Sequence, residues 1–279
     1  MTAAADRPVS RAGRDLRAAI LVGVALGVLI LASLFFVRQA FIGLVGAAVA
    51  VATWELTSAL RRSGGIRVSV VPALVGGQAI VWVGWPFGVT GVLCTVALTI
   101  LACLVWRMPD GPDDYLRDAS ASLFVVTYVP FFAAFAAMLV LPTDGTSRVL
   151  TWMLCVVASD VGGYAAGVVA GRHPMAPTIS PKKSWEGFAG SLTGGMIAGG
   201  VCVAKMLHGP WWLGVLLGAL LVTLATCGDL IESLIKRDVG IKDMGSLLPG
   251  HGGLMDRMDS LLPTAVVTWM LLSLFVPVR

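Results

Sequence analysis

The feature that most limits what this chain can fold into is its rhythm of apolar runs, each about 20 residues long and separated by short charged connections. Inside hydrocarbon a backbone must satisfy its own hydrogen bonds. A spanning segment is therefore an α-helix of about 20 residues or a strand of about 10 residues in a closed barrel. The runs here have the helical length and lack strand-like alternation. Composition agrees, since 57% of the 279 residues are hydrophobic, 13% are charged and the mean hydropathy is +0.87, far from the balance of a soluble domain. The expected fold is all-α, a polytopic transmembrane helix bundle of about nine spans, near residues 18–37, 40–60, 68–84, 87–106, 119–141, 149–170, 188–205, 211–231 and 261–278.

Charge in the connections orients the bundle. Arg7, Arg11, Arg14 and Arg17 precede the first run as they would in a signal peptide, but its apolar core is too long and no cleavage site follows, so a retained helix is expected. A cytoplasmic N-terminus puts sixteen of the twenty Lys and Arg residues inside and leaves only Arg38, Arg148, Lys205 and Arg279 outside. The net charge of +4 then concerns topology and anionic headgroups, not nucleic acid. The five cysteines all fall within spans and read as packing residues.

Chemistry is unevenly spread. Residues 1–142, about five spans, read as scaffold, and Glu55 near the end of the second span is either a carboxylate reaching interfacial water or a site residue. The Asp110, Asp113, Asp114 and Asp118 connection reads as a solvated loop. Residues 143–279, about four spans, hold the polar groups. Asp160 lies within the sixth span, where an ionisable side chain is a functional hypothesis by default. Gly163, Gly167 and Gly171 leave one face of that helix bare for a neighbour. Ser180-Pro181-Lys182-Lys183-Ser184 then offers ammonium and hydroxyl groups just before a helix start, a combination that favours anionic oxygens.

The densest stretch runs from Asp229 to Asp259, with six acids, four Lys or Arg and one His in 31 residues. If the preceding helix continues, Asp229, Glu232, Ser233, Lys236 and Arg237 share one face at i, i+3, i+4, i+7 and i+8. The glycines and Pro249 that follow break the helix and leave a loop whose backbone N–H groups suit phosphate oxygens. Asp256 and Asp259, three apart at a new helix start, face Asp229 across that loop, an arrangement suited to a hard divalent cation.

Ser233, Lys236-Arg237, Lys242-Asp243, Gly245, Leu248-Pro249, His251-Gly252-Gly253 and Asp256-Arg257-Met258-Asp259 resemble the signature of the phosphatidate cytidylyltransferases, or CDP-diacylglycerol synthases. The resemblance extends to the Ser180–Gly187 segment and to Ser159-Asp160, where Val161 departs from the hydroxyl residue usual in relatives. It covers roughly residues 155 to 265; the first half matches only in hydropathy.

The resemblance implies transfer of a cytidylyl group from CTP to phosphatidic acid, giving CDP-diacylglycerol and pyrophosphate, with Mg2+ and room for a monovalent cation such as K+. Asp229 and Asp256, bracketing the loop from opposite helices, are then the expected metal ligands, with Asp259 beside them. Lys236, Arg237, Lys242 and Arg257 are expected on the triphosphate or the lipid phosphate, with Lys183, Ser184, Ser233 and Asp160 at the same substrates. His251 is read as a phosphate ligand, a proton donor to leaving pyrophosphate, or a turn residue. The expected setting is the inner membrane, multi-pass, with the active site facing the cytoplasm and with membrane lipid around it. Repeated small residues allow a homodimer. Competing readings are a secondary transporter, motivated by intramembrane acids and broken helices, and a CDP-alcohol phosphotransferase, whose D-x-x-D-G-x-x-A-R pattern the 256–259 segment does not complete.

Overall fold

A computed structural model of the chain describes residues 16–247 and 252–278, with side chains from residue 21. Arg7, Arg11, Arg14, the Arg17 side chain, His251 and Arg279 lie outside the described residues. The described residues are all-α apart from one two-stranded hairpin. Seven of its described helical stretches are long and apolar enough to cross a membrane, and the chain is a multi-pass membrane protein.

Helix α1 (Leu16–Phe36) leads into α2 (Arg38–Gly64). The third and fourth expected runs form one bent element, α3 (Val70–Arg107). Its bend is at Gly88, with φ 56° and ψ −148°, a backbone region that is essentially open only to glycine. The chain reverses there: the Ser69 hydroxyl donates to the Cys103 carbonyl at 2.9 Å, and Gly76 packs on Thr99. In a straight helix residues 76 and 99 would stand about 34 Å apart. The two limbs of α3 are therefore antiparallel.

The next run is interrupted. Helix α4 (Tyr115–Val126) passes through a π-helical turn, Thr127–Phe131, into α5 (Phe132–Leu139). Pro130 sits in that turn and lacks the N–H that an α-helical ladder needs, which accounts for the wider winding. Of the acids expected to be solvated, Asp118 in the first turn of α4 is instead paired with Arg107 at the end of α3: the two are 1% and 3% exposed and 3.0 Å apart. Asp118 also accepts the backbone N–H of Arg67 at 3.0 Å. Two connections are thus joined through one carboxylate, which is why it is not left to water.

The second half supplies α6 (Gly145–Ala170), a hairpin of β1 (Pro174–Ala176) and β2 (Ser180–Ser184), then α7 (Trp185–Met206), α8 (Trp211–Asp238), α9 (Met255–Met258) and α10 (Leu261–Phe275). Helix α6 packs along α7, and α7 along α8. The bare face expected on α6 is the contact surface: Gly163 lies against Ser191 and Gly187, and Gly167 against Gly187. Small residues let the helices approach closely, which is how helices associate where no hydrophobic drive separates protein from lipid.

Candidate active site

The site forms where α6, α8, α10, the hairpin and the loop before α9 meet. Helix α8 continues unbroken to Asp238, so Asp229, Glu232, Ser233, Lys236 and Arg237 do lie along one face, and all five line a cavity of about 1090 Å³. The same cavity is lined by Asp160, Lys183, Ser184, Lys242, Asp256, Arg257 and Asp259. Residues from separate parts of the sequence are thus brought to one space, with Asp160, Asp229 and Asp256 facing it together. Further along α6, away from the hairpin, Met153, Val156 and Val157 make part of its wall apolar.

Gly228 accounts for the approach of the two acidic helices. A side chain there would run into the Asp259 carbonyl and Pro263, so α8 touches the backbone of the turn between α9 and α10. The π turn supports the crossing from behind, because the buried Tyr128 hydroxyl donates to the Gly228 carbonyl at 3.3 Å. As a result carboxylate oxygens of Asp229, Glu232 and Asp259 lie within 4.8 Å of one another. Glu232 and Asp259 are 1% and 7% exposed, and Glu232 Oε1 is buried without a hydrogen-bond partner among the described residues. Three hard oxygen donors, one of them orphaned, fit a divalent cation such as Mg2+.

Asp256, expected as the second metal ligand, lies outside that trio. Its Oδ1 accepts from Lys236 Nζ at 2.9 Å, and its Oδ2 accepts the N–H groups of Met244 at 3.0 Å and Gly253 at 2.8 Å. Lys236 also donates to Glu232 Oε2 at 2.6 Å. The lysine therefore links the loop carboxylate to the metal-capable trio.

The cations divide into groups with different neighbours. Lys183 at the end of β2 pairs with Asp229. Arg237 donates through Nε to the Ile179 carbonyl in the hairpin turn, tying α8 to that turn. The Ser184 hydroxyl accepts Gly187 N–H at 3.1 Å and so caps α7. Glu186 in the first turn of α7 accepts the N–H groups of Arg172 and His173 at 3.2 Å and stands 2.6 Å from His173 Nδ1. The hairpin is thus held at its base by α7 and at its turn by α8.

Glu55 is the residue whose role the sequence left open. It is 7% exposed, not in interfacial water, and its Oε2 accepts Met255 N–H at 2.9 Å from 200 positions away in the chain. An acid close to the end of an apolar run is a weak signal, and no local pattern shows which loop it meets.

Fold and site together define an integral membrane protein with a strongly charged cavity at one end of its second-half helices. A sequence model described as the cytidylyltransferase family matches residues 17–275, and the chain belongs to the phosphatidate cytidylyltransferase family. It is 49% identical over 278 residues to the phosphatidate cytidylyltransferase of Mycobacterium bovis, covering 95% of this chain and 90% of that protein. The corresponding Mycobacterium tuberculosis H37Rv protein is 49% identical over 278 residues, covering 95% and 84%. The phosphatidate cytidylyltransferase of Mycobacterium leprae is 49% identical over 281 residues, covering 95% and 89%.

Proposed function

We infer that the chain transfers a cytidylyl group from CTP to phosphatidic acid. A phosphate oxygen of phosphatidic acid attacks the α-phosphorus of CTP, the bond from that phosphorus to the bridging oxygen breaks, and pyrophosphate leaves with the bond electrons. The products are CDP-diacylglycerol and pyrophosphate. The observation that carries this reading is the convergence of Asp229, Glu232, Asp259, Asp256, Lys183, Lys236 and Arg257 on one cavity, in a chain whose relatives carry that activity in their names.

The chemistry asks for positioning and charge, not for a strong base. The phosphate monoester is already an anion at neutral pH, so the main obstacle is bringing two anions into line. Asp229, Glu232 and Asp259 would hold the Mg2+, with Asp256 held beside them by Lys236. Bound there, the metal would neutralise phosphate charge and lower the cost of the displacement. Lys183, Lys242 and Arg257 are assigned to phosphate oxygens, with Ser233 and Asp160 on the same wall; Lys236 holds the carboxylates in place; Arg237 and Ser184 set the hairpin that carries Lys183. His251 is assigned to the same phosphates as donor. The apolar wall of Met153, Val156 and Val157 suits the acyl end of the lipid.

Orientation follows from the charges. Counting the limbs of α3 separately, the chain crosses nine times with its N-terminus in the cytoplasm, so the cavity faces cytosolic CTP and residues 1–142 act as scaffold. The test is purified protein in detergent with labelled CTP, phosphatidic acid and Mg2+, following label into lipid, beside Asp256→Ala. Metal-dependent labelling lost in the variant supports reaction and site together. No labelling by folded protein across several acyl chains would sink the assignment.

A further inference from the structure

The signature loop is built around a carboxylate that comes from the other half of the chain. Glu55 on α2 is buried, and its Oε2 takes Met255 N–H at 2.9 Å, the first residue of α9. Two loop glycines lie against the same carboxyl group. A Cβ on Gly253 would stand 2.6 Å from Glu55 Oε2 and 2.7 Å from Gly245 N, and one on Gly245 would overlap Glu55 Oε1 and its carboxyl carbon. Both positions lack a side chain because Glu55 fills the space one would take. The other Glu55 oxygen, Oε1, is buried with no hydrogen-bond partner among the described residues, so what Glu55 offers the loop is shape, the bond to Met255 and weaker attraction to the Leu254 and Leu247 backbone.

That loop segment is also the one that aims Asp256. The Asp256 carboxylate accepts Gly253 N–H, one residue from Leu254 and two from the amide Glu55 holds, and it passes through Lys236 to Glu232 in the metal-capable trio. We propose that Glu55 is a positioning residue for this reaction: from α2 it sets the backbone of the Gly245 and Gly253 segments and, through them, the Asp256–Lys236–Glu232 chain beside the reacting phosphates. It touches neither substrate nor metal. The proposal rests on the cytidylyl-transfer reading, which supplies the reaction being positioned.

The experiment uses full-length protein in detergent, with Glu55→Ala, Glu55→Gln, Gly245→Ala and the Glu55→Ala/Gly245→Ala pair. Misplacement of a reacting group by about 1 Å costs about 100-fold, so Glu55→Ala lowers kcat by about that factor while KM for CTP and for phosphatidic acid stays within about threefold. Glu55→Gln keeps an acceptor for Met255 N–H and recovers kcat to within about tenfold of the parent. Gly245→Ala pushes on the Glu55 carboxylate and lowers kcat alone, yet adds little once that carboxylate is gone, a coupling that a general loss of stability does not produce.

Hydrogen exchange without substrate gives an independent readout: Glu55→Ala speeds exchange in the peptide carrying Gly253 to Met255, and Glu55→Gln does so less. An unchanged kcat in Glu55→Ala, losses that simply multiply in the double variant, or unchanged exchange at Met255 each overturn the proposal. Should Glu55→Ala fail to fold, Gly245→Ala carries the test, since a lowered kcat at an unaltered melting temperature supports positioning and a parental kcat refutes it. A parent that does not label lipid would sink the cytidylyl-transfer reading and leave the exchange result to stand separately.

Discussion

Lys236 donates to Asp256 at 2.9 Å across 20 residues of chain, joining the last turns of α8 to the first residues of α9. The lysine is shared with Glu232 at 2.6 Å, and the side chains of the three are 18%, 5% and 1% exposed. A cation held between two buried carboxylates fixes where both can point. It also ties the loop, through Asp256, to the trio of acids suited to a metal.

Removing that cation leaves two carboxylates buried without their partner. Lys236→Met is expected to destabilise the protein by about 3 kcal/mol, in the range for breaking a buried pair by deleting one member, and to lower lipid labelling by at least about 100-fold. Thermal unfolding in detergent reads the first effect and single-turnover labelling the second. A variant with parental stability would show that water already screens the pair.

The two aspartates of the α9–α10 segment are expected to separate in a metal-binding measurement. Asp259 belongs to the compact trio with Asp229 and Glu232, while Asp256 is engaged by Lys236, Met244 and Gly253. Titration of Mn2+ in the absence of nucleotide, followed by electron paramagnetic resonance, is expected to weaken by about tenfold or more in Asp229→Asn and Asp259→Asn, and by less in Asp256→Asn. Equal weakening in all three would place Asp256 directly on the metal.

Arg237 tests the hairpin. Its bond to the Ile179 carbonyl ties the turn between β1 and β2 to α8. Arg237→Ala is expected to leave the fold intact, to raise KM for CTP by about tenfold, the scale of one charge-assisted hydrogen bond, and to make the 174–184 segment more sensitive to protease. A change in kcat without a change in KM would point instead to a role at the reacting phosphates.

Gly88 provides a control far from the chemistry. Any residue with a Cβ is strained at its φ of 56° and ψ of −148°, so Gly88→Val should destabilise the α3 turn by about 1–3 kcal/mol. KM for both substrates should stay at the parental value. Thermal unfolding beside steady-state labelling separates the two expectations.

The spacing of residues along α8 was readable in advance because a helix is periodic: acids and bases at i, i+3, i+4, i+7 and i+8 share a face whatever surrounds them. The partners across the cavity were harder to read. Asp256 and Asp259, three apart, look equivalent in sequence, yet only Asp259 meets Asp229, because Gly228 lets α8 touch the backbone of that residue. Asp118, in a connection that reads as solvated, is buried because it meets Arg107 and the Arg67 backbone, and nothing local announces that neighbour.

Apolar run length determined that this chain enters a membrane as helices, since hydrocarbon offers the backbone no other partner for its hydrogen bonds. The signature residues determined its family, and their types determined that anions and a hard cation are the relevant chemistry. Tertiary structure alone decided which acid stands beside which, that α3 folds back on itself, and that Glu55 closes a loop 200 residues away. Those outcomes depend on where helices cross. Crossing is set by the sum of many side-chain and backbone contacts between distant segments, and no short stretch of sequence contains that sum.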